Sequence, residues 1–270
     1  MPTPRLSLRL QQLAEWVLPG RPVADVGCDH ALLPIWLVQQ GRVPFALAMD
    51  VSEDAIASAR TLVERTPGLG GRVQVRRSDG LSAIAPGDVS TLVVSGLGGK
   101  TISGILEAAA PDVLEPLSRG IFQPNIGAPT LRATLNALGW AIADEEVVLC
   151  GGIRYPIIAA APAASGASAG SGGGDDGASV QPLENADMLF GPVLRRRRPP
   201  EWLAMLRDEE QHYTRIAANI ARAAERRARK RRAEHAPPSE ALEARHARKA
   251  EDVAERLAQM REELAGGACV

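Results

Sequence analysis

The sequence predicts an α/β protein in which a parallel sheet is followed by a helical hairpin. Between residue 21 and about residue 160, short runs of valine, isoleucine and leucine alternate with segments of helical period. This pattern is typical of a parallel sheet covered by helices on both faces. Residues 162–182 contain almost no large apolar side chain, so burial cannot offset the entropy of ordering them. Beyond them, apolar residues return at helical spacing.

Each apolar run in the first part has a place in the predicted sheet. We expect strands at 23–27, 45–51, 73–77, 91–95 and 120–123, and helices at about 31–41, 53–65, 100–109 and 127–138. Segments 140–150 and 153–161 are separated by Gly151-Gly152. A glycine pair accommodates a tight turn, so these two segments predict a closing β-hairpin.

The C-terminal part predicts two helices that pack together. They lie at about 200–233 and 239–265, parted by Pro237-Pro238 and preceded by a short MLFGP element. Apolar residues recur three and four positions apart in both: Trp202, Leu206, Tyr213, Ile216 and Ile220 in the first, and Val253, Leu257, Met260 and Leu264 in the second. Such stripes favour an antiparallel coiled-coil hairpin. We therefore expect a sheet domain at 1–161, a flexible linker rich in glycine, serine and alanine at 162–187, and a helical domain at 188–270.

The formal charge of −1 hides an asymmetry between the two parts. Residues 1–190 carry 13 basic and 19 acidic side chains, whereas residues 191–270 carry 18 basic and 13 acidic ones. A basic tail on an acidic body suggests a polyanionic partner. The densest basic features are the run at 195–198 and the cluster at 226–232. For the cluster, a solvated helix face is the alternative interpretation.

Cysteine spacing and hydropathy indicate the cellular compartment in which the protein is expected. Cys28, Cys150 and Cys269 are widely spaced and form no C-x-x-C pair, which argues against a disulfide framework or a structural zinc site. No apolar run is long enough for a signal peptide or a membrane span. We expect a cytoplasmic monomer without a metal ion and without a membrane partner.

The first candidate site lies where the first strand runs into a helix, in Ala24-Asp25-Val26-Gly27-Cys28-Asp29-His30. Ligands of α/β sheets bind at the carboxyl ends of strands, and a glycine there allows close approach. The G-x-G-x-x-G fingerprint of dinucleotide enzymes is absent, which disfavours an NAD-dependent oxidoreductase. Asp29 would repel a diphosphate but suits a ligand with an amino group and a sulfonium, such as S-adenosylmethionine (SAM). The alternative is that Asp29 merely caps the helix.

Acidic residues also close the next two predicted strands. Asp50 can accept both ribose hydroxyls of an adenosine. The alternative is that Asp50 caps the following helix, but Ser52 is the better candidate for that cap. Asp79 could accept from the adenine amino group, although Asp-Gly is also a common turn. Acids after three successive strands favour a SAM-dependent methyltransferase. The residues expected to contact the cofactor are Asp25, Gly27, Cys28, Asp29, Asp50, Val51, Ser78, Asp79, Gly80 and Gly96.

The segments after the fourth and fifth predicted strands, where the methyl acceptor would bind, carry no familiar motif for methylation of an amino group. The stretch Ser95-Gly96-Leu97-Gly98-Gly99-Lys100 stands where amino-directed methyltransferases carry Asp/Asn-Pro-Pro-aromatic. No cysteine follows the fourth or fifth strand, so covalent attack on a pyrimidine has no obvious nucleophile. Gln123-Pro124-Asn125 and Arg154-Tyr155 remain as rim residues.

Six stretches carry a resemblance to a known family. In order, they are ADVGCDHALLP, SDGLSAI, VVSGLGGKTISGIL, FQPN, RYPI and LFGP. The chain resembles the bacterial tRNA (adenine-22, N1)-methyltransferase family, TrmK, over roughly residues 5–160 and again near Met188. The resemblance implies a class I (Rossmann-like) methyltransferase fold with a C-terminal coiled coil. It also implies SAM as methyl donor, S-adenosylhomocysteine as product, and N1 of an adenine in the D-arm of tRNA as acceptor. Cys28 stands where the family commonly has serine, and Asp50 where glutamate is common.

This implied reaction assigns roles to the remaining candidates. N1 of adenine has an in-plane lone pair, so it needs positioning more than deprotonation, and the product gains a positive charge that a carboxylate can stabilise. We expect Asp29 to supply that carboxylate, His30 and Asn125 to shape the pocket, and Tyr155 to stack on a flipped base. Asp29 could instead only orient the methionine moiety of SAM.

The expected partner is tRNA, because phosphate contacts supply most of the sequence-independent affinity for RNA. The residues expected to make such contacts are Lys100, Arg154, Arg195, Arg196, Arg197 and Arg198. Two other functions stay open at this point. One is a methyltransferase that acts on ribosomal RNA or a small molecule, and the other is a non-catalytic module that binds SAM or RNA.

Overall fold

The computed structural model describes residues 4–163, 183–234 and 240–266. Contacts divide the chain into two compact units, Met1–Arg197 and Arg198–Val270. Most of the expected linker, residues 164–182, and the proline pair at 237–238 lie outside the described residues. None of the described helices combines the length and apolarity needed to cross a membrane.

The first unit alternates helices with strands. Its elements are α1 (Leu8–Trp16), β1 (Val23–Val26), α2 (Leu32–Gln39), β2 (Ala46–Asp50), α3 (Glu53–Arg65), β3 (Val73–Arg77), β4 (Thr91–Leu97), α4 (Gly99–Glu107), α5 (Pro111–Leu114), β5 (Arg119–Pro124), α6 (Ala128–Ala137), β6 (Trp140–Cys150), β7 (Ile153–Pro162), α7 (Asn185–Phe190) and α8 (Pro192–Arg197). Every strand and helix predicted in this part is present, with bounds within two residues. Helices α1 and α5 were not predicted, and the four residues of α5 are too few to show a helical period.

The strands form one seven-stranded sheet in the order β3-β2-β1-β4-β5-β7-β6. Strands β1 to β5 are parallel, and β7 runs antiparallel between β5 and β6. This confirms the predicted α/β class with its closing hairpin. The strand order reverses between β1 and β4, and ligands of such sheets bind outside the carboxyl ends at that reversal.

Two apolar clusters cover the two faces of the sheet. Along β4, Val93 belongs to one cluster and its neighbours Leu92 and Val94 to the other, because successive strand residues point to opposite faces. All three side chains are fully buried. This double burial explains why the central strands appear in the sequence as continuous apolar runs.

A buried ion pair fixes the end of the first unit. Arg132 of α6 donates from Nε to Oε1 of Glu145 in β6 at 2.7 Å, and both side chains are almost completely buried. The second carboxylate oxygen accepts from the backbone N–H of Val193 at 2.9 Å. Gly191 lies against this pair with φ +94°, where an added Cβ would stand 2.6 Å from Oε2 of Glu145. The LFGP sequence therefore supplies the one residue type that this contact admits.

This anchor explains where the first unit ends. Arg132 also donates to the carbonyl oxygens of Met188 and Leu189, both at 3.3 Å, so α7 and α8 belong with the sheet. The division falls after Arg197, whereas the sequence suggested a boundary at residue 188, which lies inside α7.

The second unit contains α9 (Pro200–Glu234) and α10 (Glu240–Ala265). Arg256 lies 3.7 Å from Glu209, and Arg261 lies 2.9 Å from Glu210. The end of α10 thus pairs with the beginning of α9, as expected for antiparallel helices. The residues of the predicted stripes that are buried are Trp202, Leu206, Val253, Leu257 and Met260.

Candidate active site

A cavity of about 450 Å³ opens at the carboxyl ends of β1 to β4. Its lining contains all ten residues that the sequence indicated for the cofactor, together with His30. The lining residues that sequence reasoning missed are Arg9, Leu10, Val26, Leu32, Leu33, Ser95, Leu97, Thr101 and Ile105. The cavity lies where the strand order reverses, as expected for a ligand site in this kind of sheet.

The loop after β1 has an unusual backbone. Gly27 has φ +75°, and its N–H donates to the carbonyl oxygen of Met49 at 2.9 Å. Asp29 and Ala31 also have positive φ, at 49° and 57°, a region that residues other than glycine rarely adopt. Ala31 is the N-cap residue of α2 and no side chain caps that helix. The interpretation of Asp29 as a helix cap is therefore wrong. Its side chain is 74% exposed and lies at the cavity, where Oδ1 of Asp29 is 3.5 Å from Nε2 of His30.

Asp50 joins the ends of β1 and β2. Its Oδ1 accepts from the N–H of Ser52 at 2.9 Å, and its Oδ2 accepts from the N–H of Asp29 at 3.3 Å. Ser52 caps α3 by accepting from Ala55 N–H, as the sequence predicted. Asp50 is therefore not needed as a helix cap, and its carboxylate faces the cavity.

Asp25 places a buried carboxyl group in the cavity wall. The residue is 5% exposed, and burial, followed by the negative charge of Asp50, raises its pKa to about 7. The same burial and the charges of Asp25 and Asp50 raise the pKa of the Cys28 thiol, which keeps that thiol protonated. This end of the cavity therefore favours a cationic ligand and offers no thiolate nucleophile.

The turn after β3 is held by Ser78. Its N–H donates to the carbonyl oxygen of Asp50 at 2.9 Å, and its hydroxyl donates to the carbonyl oxygen of Gly80 at 2.9 Å. Asp79 and Val51 are both exposed and line the cavity here. These contacts put a carboxylate and an apolar side chain next to Asp50, which is an arrangement suited to an adenosine.

Asn125 and Tyr155 do not line the cavity, but they are connected to it through Gln123, a predicted rim residue, and Arg9, which sequence reasoning missed. Asn125 donates from Nδ2 to the carbonyl oxygen of Gly96 at 2.6 Å and accepts from Nε2 of Gln123 at 3.1 Å. Gln123 is fully buried, and its Oε1 accepts from Gly96 N–H at 3.1 Å and from Arg9 at 2.6 Å. The guanidinium of Arg9 lies 5.3 Å from the centroid of the Tyr155 ring. No sequence signal links Arg9 to Gln123, which is 114 residues away.

The basic run beside α8 is mostly engaged with carboxylates. Arg195 lies 2.6 Å from Asp187 and Arg197 lies 2.5 Å from Asp144. Arg196 is exposed. The sequence suggested four equivalent phosphate ligands, and the structure instead gives two of these arginines partners within the first unit.

The fourth arginine has a structural role within the second unit. Arg198 lies 3.3 Å from Glu263, donates to the carbonyl oxygen of Glu263 at 2.8 Å, and lies 5.4 Å from the Trp202 ring centroid. Lys100 is exposed near the start of α4, and Arg154 lies half-buried in β7 next to Tyr155. Within the described residues, no group of three metal-ligating side chains comes together.

Comparison with known proteins identifies a family that this chain matches. The family model for tRNA (adenine(22)-N(1))-methyltransferase, TrmK, matches residues 23–240. The tRNA (adenine(22)-N(1))-methyltransferase of Bacillus subtilis (strain 168) is 33% identical over 222 residues, which cover 82% of this chain and 88% of that protein.

Solved structures agree. The crystal structure of the B. subtilis M1A22 tRNA methyltransferase TrmK superposes with a TM-score of 0.76 at 29% identity, covering 96% of this chain and 99% of that one. Streptococcus pneumoniae Sp1610 in complex with S-adenosyl-L-methionine superposes with a TM-score of 0.72 at 28% identity, covering 96% and 100%.

Proposed function

The chain belongs to the tRNA (adenine(22)-N(1))-methyltransferase family, TrmK, and from this premise we propose that it transfers the methyl group of SAM to N1 of adenine 22 in the D-arm of tRNA. The observation that carries the proposal is the set of acids that follow β1, β2 and β3 and line one cavity: Asp29, Asp50 and Asp79. This order suits an adenosine ligand with a cationic arm, because an acid after the second strand can accept the ribose hydroxyls and the other two flank it.

The residues of the cavity fit SAM. Asp50 has both oxygens held by backbone N–H groups, which fixes the carboxylate for the two ribose hydroxyls. Asp79 accepts from the adenine amino group, and Gly27 and Gly96 allow close approach of the ligand. When bound, SAM supplies an electrophilic methyl group on a sulfonium. The buried carboxyl of Asp25 favours this positive charge once it has lost its proton.

The acceptor adenine lies on the side of Asn125 and Tyr155. Asn125 is held by Gly96 and Gln123, so its position is set before the base arrives. Tyr155 stacks on the flipped base. Asp29 stabilises the positive charge that forms on the ring and then takes a proton from N6, with His30 3.5 Å away to hold the carboxylate.

The first test is methylation of tRNA itself. The full chain is incubated with methyl-labelled SAM and unmodified tRNA transcripts, and the nucleosides are analysed. We expect 1-methyladenosine with wild-type tRNA and none with a transcript that carries guanine at position 22. Methylation of ribosomal RNA alone would support the ribosomal alternative, and SAM binding without any methyl transfer would support a non-catalytic module.

The role of Asp29 is tested separately. We expect Asp29→Asn to slow methyl transfer at saturating SAM by about 100-fold, a loss that persists after the Kd of SAM measured for the variant is taken into account. Asp54→Asn is the matched control, because Asp54 is an exposed acid on α3 that does not line the cavity. A weaker Kd with an unchanged rate would show that Asp29 only orients the methionine moiety.

The tRNA backbone is bound by basic side chains on both units. In the first unit these are Lys100, Arg154 and Arg196, to which Arg195 and Arg197 add positive charge that their acids partly offset. In the second unit, Arg245, Arg248 and Lys249 are exposed and line one shallow surface of α10. Their spacing of three and four puts them on one helix face, where they can follow a phosphate chain.

A further inference from the structure

Among the described residues, the most exposed large apolar side chain is that of Ile126, which directly follows Asn125. Ile126 is 76% exposed and belongs to neither apolar cluster of the sheet. Single exposed apolar residues are common on protein surfaces, so exposure alone assigns no role to it. The rigidity of its loop and its place beside the acceptor side carry the argument.

The backbone around Ile126 is bonded to the loop that follows β4. The N–H of Asn125 donates to the carbonyl oxygen of Leu97 at 2.7 Å, and the carbonyl oxygen of Ile126 accepts from the N–H of Gly99 at 2.7 Å. The next residue, Gly127, has φ +74° and is the N-cap residue of α6. These bonds fix the direction in which the Ile126 side chain leaves the surface.

Two glycines allow the loops to come this close. A Cβ added to Gly99 would collide with the carbonyl oxygen of Gly127, so only glycine admits the contact. A Cβ added to Gly98 would stand 3.9 Å from Cγ1 of Ile126. Neither Gly98 nor Gly99 lines the cofactor cavity. The glycine pair therefore serves the approach of the two loops and the presentation of Ile126.

The register of the sheet places Ile126 at the acceptor side. Phe122 of β5 pairs with Ile158 of β7, and three residues further along β5 and three residues back along β7 lead to Asn125 and Tyr155. Neighbouring strands lie about 5 Å apart, so Asn125 and Tyr155 stand at the same height on adjacent strands. Ile126, one residue further, borders the place proposed for the acceptor adenine.

The proposed reaction requires adenine 22 to leave its helix. N1 lies on the Watson–Crick edge of the base, where pairing and stacking hide it from a methyl donor. Extrusion of the base leaves a gap in the stack. Proteins that open a base stack insert apolar side chains such as isoleucine between base steps. An isoleucine has a stiff side chain, and a rigid loop presents it here, so insertion costs little conformational entropy.

We propose that Ile126 is a positioning residue that enters the D-arm stack where adenine 22 leaves it, and so keeps the flipped adenine beside Asn125 and Tyr155. The proposal rests on the proposed function. Insertion removes the apolar surface of Ile126 from water, which stabilises the flipped state of the base relative to the stacked one.

The test compares two tRNA transcripts that differ in the nucleotide opposite adenine 22. Uridine at that place pairs with N1 of the adenine, and cytidine does not. In the uridine transcript the flipped base is a minority state, so the rate of methyl transfer follows its population. In the cytidine transcript flipping costs less, so the rate depends less on any residue that stabilises the flipped state.

Methyl transfer by the full chain is measured in single turnover at saturating enzyme and SAM. We expect Ile126→Ala to slow it by about 10- to 100-fold on the uridine transcript and by less than about threefold on the cytidine transcript. Ile126→Leu keeps the apolar volume and should restore most of the rate. Leu138→Ala is the matched control, because Leu138 is an exposed apolar residue at the opposite end of α6, and it should match the wild type on both transcripts.

A second measurement does not depend on methyl transfer. 2-Aminopurine replaces adenine 22 in the uridine transcript, and its fluorescence rises when the base leaves the stack. With S-adenosylhomocysteine present and the tRNA fully bound, we expect the wild-type chain to raise the fluorescence and Ile126→Ala to raise it less.

Equal losses of Ile126→Ala on the two transcripts, full activity on the uridine transcript, or an unchanged rise in fluorescence would overturn the proposal for Ile126. Methylation of the cytidine transcript alone by the wild-type chain would also overturn it, because no paired adenine is then extruded. If the wild-type chain methylated neither transcript, the proposed function would be wrong, and this inference with it.

Discussion

Two carboxyl groups in the first unit are buried almost equally, and their surroundings differ completely. Glu145 is 2% exposed and lies against the Arg132 guanidinium and the Val193 N–H. Asp25 is 5% exposed, and the charged neighbour that acts on it among the described residues is Asp50, which has the same sign. A buried carboxylate that is fully paired holds the chain together, whereas one that lacks a counter-ion is suited to receive a cationic ligand.

The largest expected effect lies on the paired side of this comparison. We expect Glu145→Gln to lower the free energy of unfolding by about 3–5 kcal/mol, because it leaves the Arg132 charge buried without a partner. Urea unfolding followed by circular dichroism measures it. The double variant Arg132→Met/Glu145→Leu removes both charges and should recover most of the loss. If Glu145→Gln unfolded like the wild type, the anchoring role of the pair would be wrong.

Among the cavity carboxylates, a substitution of Asp50 should change the affinity for SAM more than the stability of the fold. We expect Asp50→Ala to weaken SAM binding by about 10- to 100-fold, because it removes the charged acceptor for the ribose hydroxyls. Calorimetric titration with SAM measures the Kd, and Asp54→Ala on the exposed face of α3 serves as control. A Kd equal to that of the control would remove Asp50 from the cofactor site.

The unpaired Asp25 should make SAM binding depend on pH. Its pKa of about 7 in the folded chain lies above the ordinary value of 3.8, so the folded state keeps a proton that the unfolded state loses between these values. The contribution of Asp25 to the stability of the fold is therefore largest below pH 4 and is lost as the pH rises through about 7. A cationic ligand favours the deprotonated form, so SAM affinity should rise by about tenfold between pH 6 and 8.

Titrations at a series of pH values check this dependence. Asp25→Asn cannot ionise and should flatten both the affinity profile and the stability profile in that range. A profile that keeps its slope in Asp25→Asn would assign the titration to another group.

The smallest effects are expected at the exposed ion pairs. Arg195→Ala and Arg197→Ala should each change the free energy of unfolding by about 0–1 kcal/mol, because solvent screens these pairs. Replacing the whole run at 195–198 by alanine should weaken tRNA binding and lower its salt slope by about one for each phosphate group that is no longer bound. Fluorescence anisotropy over a salt series measures the slope, and SAM affinity should stay unchanged. An unchanged slope would exclude this run from the RNA surface.

The sequence was most informative where one residue pattern has one structural cause. Strands buried on both faces appear as largely apolar runs, so β1, β2, β4 and β5 could be placed closely, and the Gly151-Gly152 pair marked the turn of the hairpin. The acids Asp29, Asp50 and Asp79 could be grouped because parallel strands end at the same edge of a sheet.

Tertiary contacts were beyond such reasoning. Arg9 reaches the cavity only because α1 packs beside the sheet, and its partner Gln123 lies 114 residues away. The pair of Arg132 and Glu145 joins a helix to a strand whose sequences show no sign of it. The arginines at 195 and 197 looked like free charges because a run of identical residues does not show which carboxylates face it.

The left-handed backbone at Asp29 and Ala31 bears on how this protein can be improved. Each non-glycine residue in that region carries conformational strain of roughly 1–2 kcal/mol. Ala31→Gly would relieve part of that strain at a fully buried position, yet it would also free the loop that presents Asp29 to the cavity. A search for thermostable variants would thus find gains in this loop, and the same variants would tend to lose activity.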